Sequence, residues 1–131
     1  MSIDPNSSVP IFEQIASYVR RSVAAGVYKS GEMIPSLRAM ALDLTVNPNT
    51  VQRAYEELER EGLIEARRGR GMYVTNNGTV AAKDKSAEAV YHAFDQGIRS
   101  GRDAKMAPEQ IRTTFERAWR DSSGRTRSEV S

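Results

Sequence analysis

A short segment in the first half of the chain places the tightest limit on how this sequence can fold. Asn47 is a preferred residue at a helix N-cap, and Pro48 suits the first helical position because the N–H that it lacks would be unpaired there. Apolar residues then recur with helical spacing from Val51 to Leu58, and Gly62 is a suitable residue just past the helix end. The segment therefore predicts a helix that begins at Asn47 and ends near Gly62.

Two further helices are predicted before this one. A short apolar stripe follows Ser36, whose hydroxyl can accept a hydrogen bond from an N–H at the helix start, and a longer stripe lies between Pro10 and Gly26. The apolar positions are Phe12, Ile15, Ala16, Val19 and Val23 in the first helix, and Leu37, Met40, Ala41 and Leu44 in the second. Because only about three residues separate the second helix from the third, the chain must bend sharply, as in a helix-turn-helix.

The pattern changes from helical to extended after the third helix. Two short runs rich in strand-forming residues, 63–67 and 72–75, flank a turn with two glycines, which predicts a β-hairpin. The turn region contains Arg67, Arg68, Gly69, Arg70 and Gly71. Glycine permits close backbone approach, and an arginine at a hairpin tip suits the narrow minor groove of DNA. We therefore expect a basic wing beside the helix-turn-helix.

The expected fold class is mostly α with a small β-hairpin, and the chain divides into four segments. Residues 9–76 form the winged helix-turn-helix, and residues 77–85 are polar without a periodic stripe, which predicts a linker. Residues 86–121 contain two amphipathic stripes and predict a C-terminal two-helix hairpin. Residues 122–131 are rich in serine and arginine without periodicity, which predicts a disordered tail.

The two C-terminal helices carry large apolar groups that two helices alone cannot enclose. These groups include Tyr91, Phe94, Ile98, Phe115 and Trp119. We expect them to be buried against a second copy of the chain, so that the hairpin makes a homodimer. The alternative is that the aromatic residues line a pocket for a small-molecule effector.

The polar side of the third helix is the predicted site of DNA reading. The residues opposite its apolar face are Asn49, Gln52, Arg53 and Glu56. Asn and Gln can pair with adenine and Arg with guanine in the major groove, while Thr50 and the helix N–H groups can hold a phosphate. Two alternatives remain open: an ordinary solvated helix face, and a winged helix that binds protein and not DNA.

Composition argues against several other classes of function. A net charge of +2, from 19 basic and 17 acidic residues, does not by itself indicate a nucleic-acid binder. The chain has no cysteine, one histidine and no glycine-rich phosphate loop after a strand, so we expect no enzyme, no cofactor and no metal. His92 shares a helix face with Glu88 and Asp95, but such a set is more often a solvated charged face. The lack of a long apolar run and of a secretory signal leads us to expect the cytoplasm.

Four motifs resemble those of the GntR family of bacterial regulators, over residues 9–76. They are Ile34-Pro35-Ser36-Leu37-Arg38, Asn47-Pro48-Asn49-Thr50-Val51, Ala54-Tyr55-Glu56-Glu57-Leu58-Glu59-Arg60-Glu61-Gly62-Leu63 and Arg68-Gly69-Arg70-Gly71. The resemblance implies a winged helix-turn-helix that binds a palindromic operator as a homodimer, repression being the commoner mode of action. The two short C-terminal helices resemble the YtrA subfamily, which implies a dimerising hairpin and regulated genes that often encode ATP-binding-cassette transporters.

The resemblance also implies roles for single residues. Arg38 matches an arginine used on the phosphate backbone, and Arg68 with Gly69 matches the wing tip that enters the minor groove. Asn47, Asn49 and Thr50 match contact positions at the start of the recognition helix. The sequence departs from the family pattern where relatives often have arginine: it has Gln52 there, and the arginine is the next residue, Arg53.

Overall fold

The computed structural model describes the backbone of residues 2–130 and the side chains of residues 2–123. In chain order the elements are α1 (Ile11–Ala24), α2 (Leu37–Leu44), α3 (Pro48–Arg60), β1 (Ile64–Arg67), β2 (Gly71–Val74), α4 (Gly78–Asp103) and α5 (Pro108–Val130). This order confirms the predicted fold class, a winged helix-turn-helix with two C-terminal helices. The chain divides into two compact units, residues 1–88 and 89–131, and the boundary falls within α4.

The core of the first unit is built around α3, against which both α1 and α2 pack. The apolar stripes predicted for the three helices supply most of this core, and β1 and β2 add apolar residues to it. The largest side chains that are fully buried are Ile15, Val19, Val23, Val51, Leu58, Leu63, Ile64 and Val74. Burial of this set fixes which side of α3 remains exposed.

The predicted helix boundaries are confirmed by their capping hydrogen bonds. The Ser36 hydroxyl accepts a hydrogen bond from the N–H of Ala39 at 3.0 Å at the start of α2. Asn47 is the N-cap of α3, and Pro48 occupies its first helical position. At the other end, Gly62 has a φ of +79°, a conformation that glycine adopts without steric cost, so α3 stops where the sequence predicted.

The turn between α2 and α3 places a β-branched residue in a left-handed conformation. Thr45 has φ 55° and ψ 51°, and the next N–H, that of Val46, donates to the C=O of Ala41 at 3.0 Å. A residue other than glycine is strained in this region because its Cβ approaches the backbone. The sharp bend of the helix-turn-helix is therefore made at Thr45.

The wing is an antiparallel hairpin whose register pairs Ile64 with Val74 and Arg67 with Gly71. The turn at its tip is closed by a hydrogen bond from the N–H of Arg70 to the C=O of Arg67, at 2.9 Å. Within that turn Gly69 has a φ of +74°, which favours glycine. The predicted β-hairpin is confirmed.

A third extended segment, which the sequence did not predict, lies along the other edge of β2. Met33 forms a β-bridge with Tyr73, and the N–H of Ile34 donates to the C=O of Met72 at 2.9 Å. The N–H of Gly31 donates to the C=O of Val74 at 2.9 Å. Residues 31–34 therefore join the wing to the segment that leads into α2.

The prediction of a linker at residues 77–85 is wrong, because α4 begins at Gly78. Ala82 is fully buried in the core of the first unit. Gly78, one turn earlier, is also buried, and a Cβ at that position would lie 2.6 Å from Cγ1 of Val74 and 2.7 Å from the C=O of Leu63. Such small residues make a weak apolar pattern, yet they allow the helix to pack closely.

The prediction of a disordered tail is also corrected where the structure describes it. Helix α5 continues to Val130, so Ser122 and Ser123 are helical. Helix formation does not require an apolar stripe when residues such as arginine and glutamate carry adequate helix propensity. The rest of the predicted tail, 124–131, lies outside the residues whose side chains are described.

The second unit is an α-helical hairpin with close contact at one glycine. Gly101 is buried, and a Cβ there would lie 2.9 Å from the side chain of Ile111 on α5. The C=O of Gly101 accepts a hydrogen bond from the N–H of Met106 at 3.0 Å, and Lys105 has a φ of 64°.

Among the helices that the structure describes, none is long and apolar enough to cross a membrane.

Candidate nucleic-acid interface

Helix α3 has a buried apolar side and an exposed polar side, as predicted. Asn49, Gln52 and Arg53 are exposed on the polar side, and Thr50 is half-buried at its border. Tyr55, on the buried side, donates its hydroxyl to the C=O of Pro35 at 2.9 Å. Burial raises the pKa of Tyr55, which keeps the hydroxyl protonated as the donor. The polar face is therefore carried by a helix that is fixed to the rest of the unit.

Two of the predicted contact residues already have hydrogen bonds within α3. The side-chain oxygen of Asn47 accepts from the N–H of Asn49 at 2.8 Å, so Asn47 has a structural role as the N-cap. The side-chain amide of Gln52 donates to Glu56 at 3.1 Å, one turn along the helix. A base contact by Gln52 would have to compete with this bond or use the remaining amide atoms.

Arg53 lies against an aromatic ring, a contact that the sequence pattern does not predict. Its guanidinium carbon lies 3.8 Å from the centroid of the Phe12 ring on α1, which is cation–π geometry. Arg53 has no hydrogen bond or ion pair among the side chains that the structure describes. Phe12 was assigned only to the apolar stripe of the first helix, and helical spacing alone cannot reveal a contact between two helices.

The arginines of the wing differ in their surroundings. Arg67 is half-buried, lies over the ring of Tyr73 at 4.2 Å and pairs with Glu65 at 3.2 Å. Arg68 and Arg70 are exposed, and within the described part of the chain their side chains have no hydrogen bond or ion pair. The wing therefore presents two unpaired cations at its tip, while Arg67 interacts within the hairpin.

Arg38 gives the first unit a further exposed cation, on α2. Its side chain has no hydrogen-bonding or ionic partner among the described residues. Arginine presents five N–H donors that suit phosphate oxygens. The predicted residues on α2, on α3 and at the wing tip thus belong to one compact unit with a common core.

The apolar residues predicted for dimerisation are exposed in the second unit. Their exposed fractions are Tyr91 67%, Phe94 49%, Ile98 39%, Phe115 46% and Trp119 65%. Phe94 and Phe115 make an edge-to-face contact with their centroids 5.5 Å apart. Together with Ile98 they line a groove of about 600 Å³ between α4 and α5, which Tyr91 and Trp119 do not line.

The acidic and histidine side chains around His92 do not assemble a metal site. In the portion of the chain that is described, no group of three or more His, Cys, Asp or Glu side chains could hold a metal ion. Asp95 is paired with Arg99 at 2.9 Å, and His92 makes an edge contact with Tyr91. Glu88 and His92 are exposed, and Asp95 is half-buried.

Comparisons with known proteins bear on the first unit and on the chain as a whole. Residues 11–74 match the family described as bacterial regulatory proteins, gntR family. The chain is 38% identical over 111 residues to the HTH-type transcriptional repressor YtrA of Bacillus subtilis (strain 168), which covers 85% of each chain.

Solved structures give the same result. A GntR family transcriptional regulator from Listeria monocytogenes has a TM-score of 0.72 and 31% identity, covering 86% of this chain and 97% of that one. YtrA from Sulfolobus acidocaldarius, a GntR-family transcription factor, has a TM-score of 0.56 and 27% identity, covering 92% of this chain and 97% of that one. The similarity thus extends beyond the winged helix-turn-helix into the C-terminal helices, as in YtrA proteins. The chain therefore belongs to the GntR family of helix-turn-helix transcriptional regulators.

Proposed function

We propose that this protein is a sequence-specific repressor that binds a palindromic operator as a homodimer. The observation that carries the proposal is the exposed polar face of α3 in the same compact unit as the unpaired cations Arg68 and Arg70. A helix in the major groove can read base edges, while exposed arginines hold the phosphate backbone. No observation favours the alternative of a winged helix that binds only protein.

The contacts divide into two groups in this proposal. Arg38, Arg68 and Arg70 bind the DNA backbone, with Arg68 and Gly69 at the minor groove. Asn49 and Gln52 read base edges from α3, and Thr50 contacts a phosphate at the helix start.

Two other predicted residues have structural roles in this proposal. Asn47 contributes as the cap that orients this end of α3. Arg67 contributes by fixing the shape of the wing, since its guanidinium is occupied by Tyr73 and Glu65.

The dimer is proposed from the apolar surface of the second unit. Phe94, Ile98 and Phe115 line an exposed groove, and removal of such apolar side chains from water favours association. A dimer presents two recognition helices to two half-sites, which requires an operator with two-fold symmetry.

Repression is proposed because a relative with 38% identity over most of both chains is named a repressor. We propose further that the regulated genes include transporter genes, that the protein acts in the cytoplasm, where bacterial DNA lies, and that it is not an enzyme. These statements extend the family assignment to this chain.

The experiment is selection of bound duplexes from random DNA, followed by gel-shift titration of the selected operator. Arg68→Ala should weaken binding of selected and random duplexes alike and lower the salt slope by about one. Arg117→Ala, which removes an exposed arginine from α5, is the control and should leave both unchanged. Absence of any duplex binding by the unmodified protein would contradict the proposed function, and normal binding by Arg68→Ala would contradict the role of the wing.

A further inference from the structure

The polar face of α3 includes four exposed residues, namely Asn49, Gln52, Arg53 and Glu56. Among the described residues, only Arg53 of these four lies against an aromatic ring. The ring belongs to Phe12, which is half-buried near the start of α1. The Arg53 guanidinium has its central carbon over this ring, 3.8 Å from the ring centroid. Its N–H donors project from the edge of the group and are not consumed by the ring.

These donors have no acceptor among the described side chains, although other arginines of the same unit do. Arg20 is paired with Glu61, and Arg67 is paired with Glu65. Glu56, on the polar face of α3, accepts from Gln52. Arg53 is thus a cation whose position is set by an aromatic contact and whose hydrogen-bonding capacity is unused.

The position of the Phe12 ring determines which part of a bound DNA duplex Arg53 can contact. Phe12 lies on α1, outside the helix-turn-helix formed by α2 and α3, so the contact draws Arg53 towards the flank of α3. A helix inserted in the major groove faces base edges along its leading side and the sugar-phosphate walls along its flanks. The acceptor closest to a flanking guanidinium is therefore a phosphate oxygen, which arginine can bind through two N–H groups.

We propose that Phe12 is a positioning residue for DNA binding: its ring holds the Arg53 guanidinium against the flank of α3, where it binds a backbone phosphate and not a base edge. This inference rests on the proposed DNA binding. It revises the expectation that Arg53 reads guanine. Because the side chain is ordered before DNA arrives, less conformational entropy is lost on binding.

The test compares Arg53→Gln, Phe12→Leu, Phe12→Tyr and the double variant of Arg53→Gln with Phe12→Leu. Each is titrated against a random-sequence duplex of about 30 base pairs, long enough for two half-sites, at several salt concentrations. Arg53→Gln should weaken binding about tenfold and lower the salt slope by about one, because a phosphate contact is lost. Phe12→Leu should weaken binding about threefold through loss of the cation–π contact, and Phe12→Tyr should retain it.

Two further results are required if Arg53 binds a phosphate and Phe12 positions it. The double variant should bind no more weakly than Arg53→Gln alone, since Phe12 acts through Arg53. The base preference obtained by selection should be the same for Arg53→Gln as for the unmodified protein. Thermal unfolding of each variant checks that α1 still packs, and Arg53→Gln, which changes an exposed side chain, tests the phosphate contact even where Phe12→Leu is destabilised.

Several results would overturn the inference while leaving the proposed function intact. An unchanged salt slope in Arg53→Gln would show that no phosphate is bound there. A changed base preference at one position would place Arg53 on a base edge. A loss in Phe12→Leu that persists undiminished in the double variant would show that Phe12 acts independently of Arg53.

Discussion

Arg20 on α1 and Glu61 at the end of α3 are joined by two hydrogen bonds of 2.9 Å, from one guanidinium nitrogen to both carboxylate oxygens. The two side chains are only 19% and 15% exposed. The Nε of Arg20 is buried and has no hydrogen-bond partner in the described structure. The ion pair therefore ties the C-terminal end of α3 to α1.

Removing one partner of this pair should destabilise the first unit. Arg20→Ala leaves a largely buried carboxylate without its partner, and we expect a loss of about 2 kcal/mol in the free energy of unfolding. Arg99→Ala is the control: its pair with Asp95 is solvent-exposed, so its removal should cost less than about 0.5 kcal/mol. Urea denaturation followed by circular dichroism measures both. Equal, small losses in the two variants would mean that the Arg20–Glu61 pair contributes little.

Relief of the strained turn should stabilise the protein. Thr45→Gly removes the Cβ from a residue at φ 55°, and we expect a gain of about 1 kcal/mol, the balance of relieved strain and greater entropy of the unfolded chain. Gly62→Ala makes the opposite change at φ +79° and should cost about 1 kcal/mol. Thermal melts of both variants check the signs. A lower midpoint for Thr45→Gly would indicate that the threonine side chain outweighs its backbone strain.

Two glycines of α4 should respond in opposite ways to substitution by alanine, because only the one at the start of the helix is closely packed. Gly78→Ala would place a Cβ 2.6 Å from Cγ1 of Val74, so the helix must shift and stability should fall by about 2 kcal/mol. Gly97→Ala in the same helix meets no atom within 4 Å and should stabilise by about 0.5 kcal/mol through helix propensity. Parallel denaturation curves would show the difference. A harmless Gly78→Ala would mean that α4 can start further from the core.

The exposed aromatic residues of the second unit predict the site of dimerisation. Phe115→Ser should convert the proposed dimer to a monomer at micromolar concentration, because it removes a large apolar group from the groove. Leu42→Ser is a matched control, since Leu42 is 81% exposed on α2 and is not expected at the interface. Sedimentation equilibrium gives the mass of each variant. A dimer that survived in Phe115→Ser would favour the alternative in which this groove holds a small-molecule effector.

Much of the candidate interface was predictable because its signals are local. Asn47 and Pro48 specify the start of α3 through one hydrogen bond and one absent N–H. Gly62 ends it through a backbone conformation, and Gly69 shapes the wing turn in the same way. In each case the residue acts on backbone groups only a few positions away, so its effect can be predicted without knowledge of the fold.

The predictions that failed concern contacts with distant parts of the chain. The linker predicted at 77–85 is helical: Gly78 is small enough to pack against Val74 and the backbone of Leu63, and Ala82 is buried in the core. Hydrophobic periodicity does not register such small residues. The third extended segment was missed because its hydrogen bonds go to β2, nearly forty positions away, and not to its neighbours.

The sequence by itself determined the order and ends of the helices in the DNA-binding unit, the position of the basic turn and the polar face of α3, because capping, helical periodicity and glycine conformation act within one or two turns of the chain. Only the tertiary structure decided which arginines have N–H donors available for a further ligand. Arg20 and Arg67 are occupied by Glu61 and Glu65, whereas Arg53 rests on Phe12 with its donors unused. The physical reason is that a guanidinium reaches across the gap between elements, so its partner depends on how those elements pack.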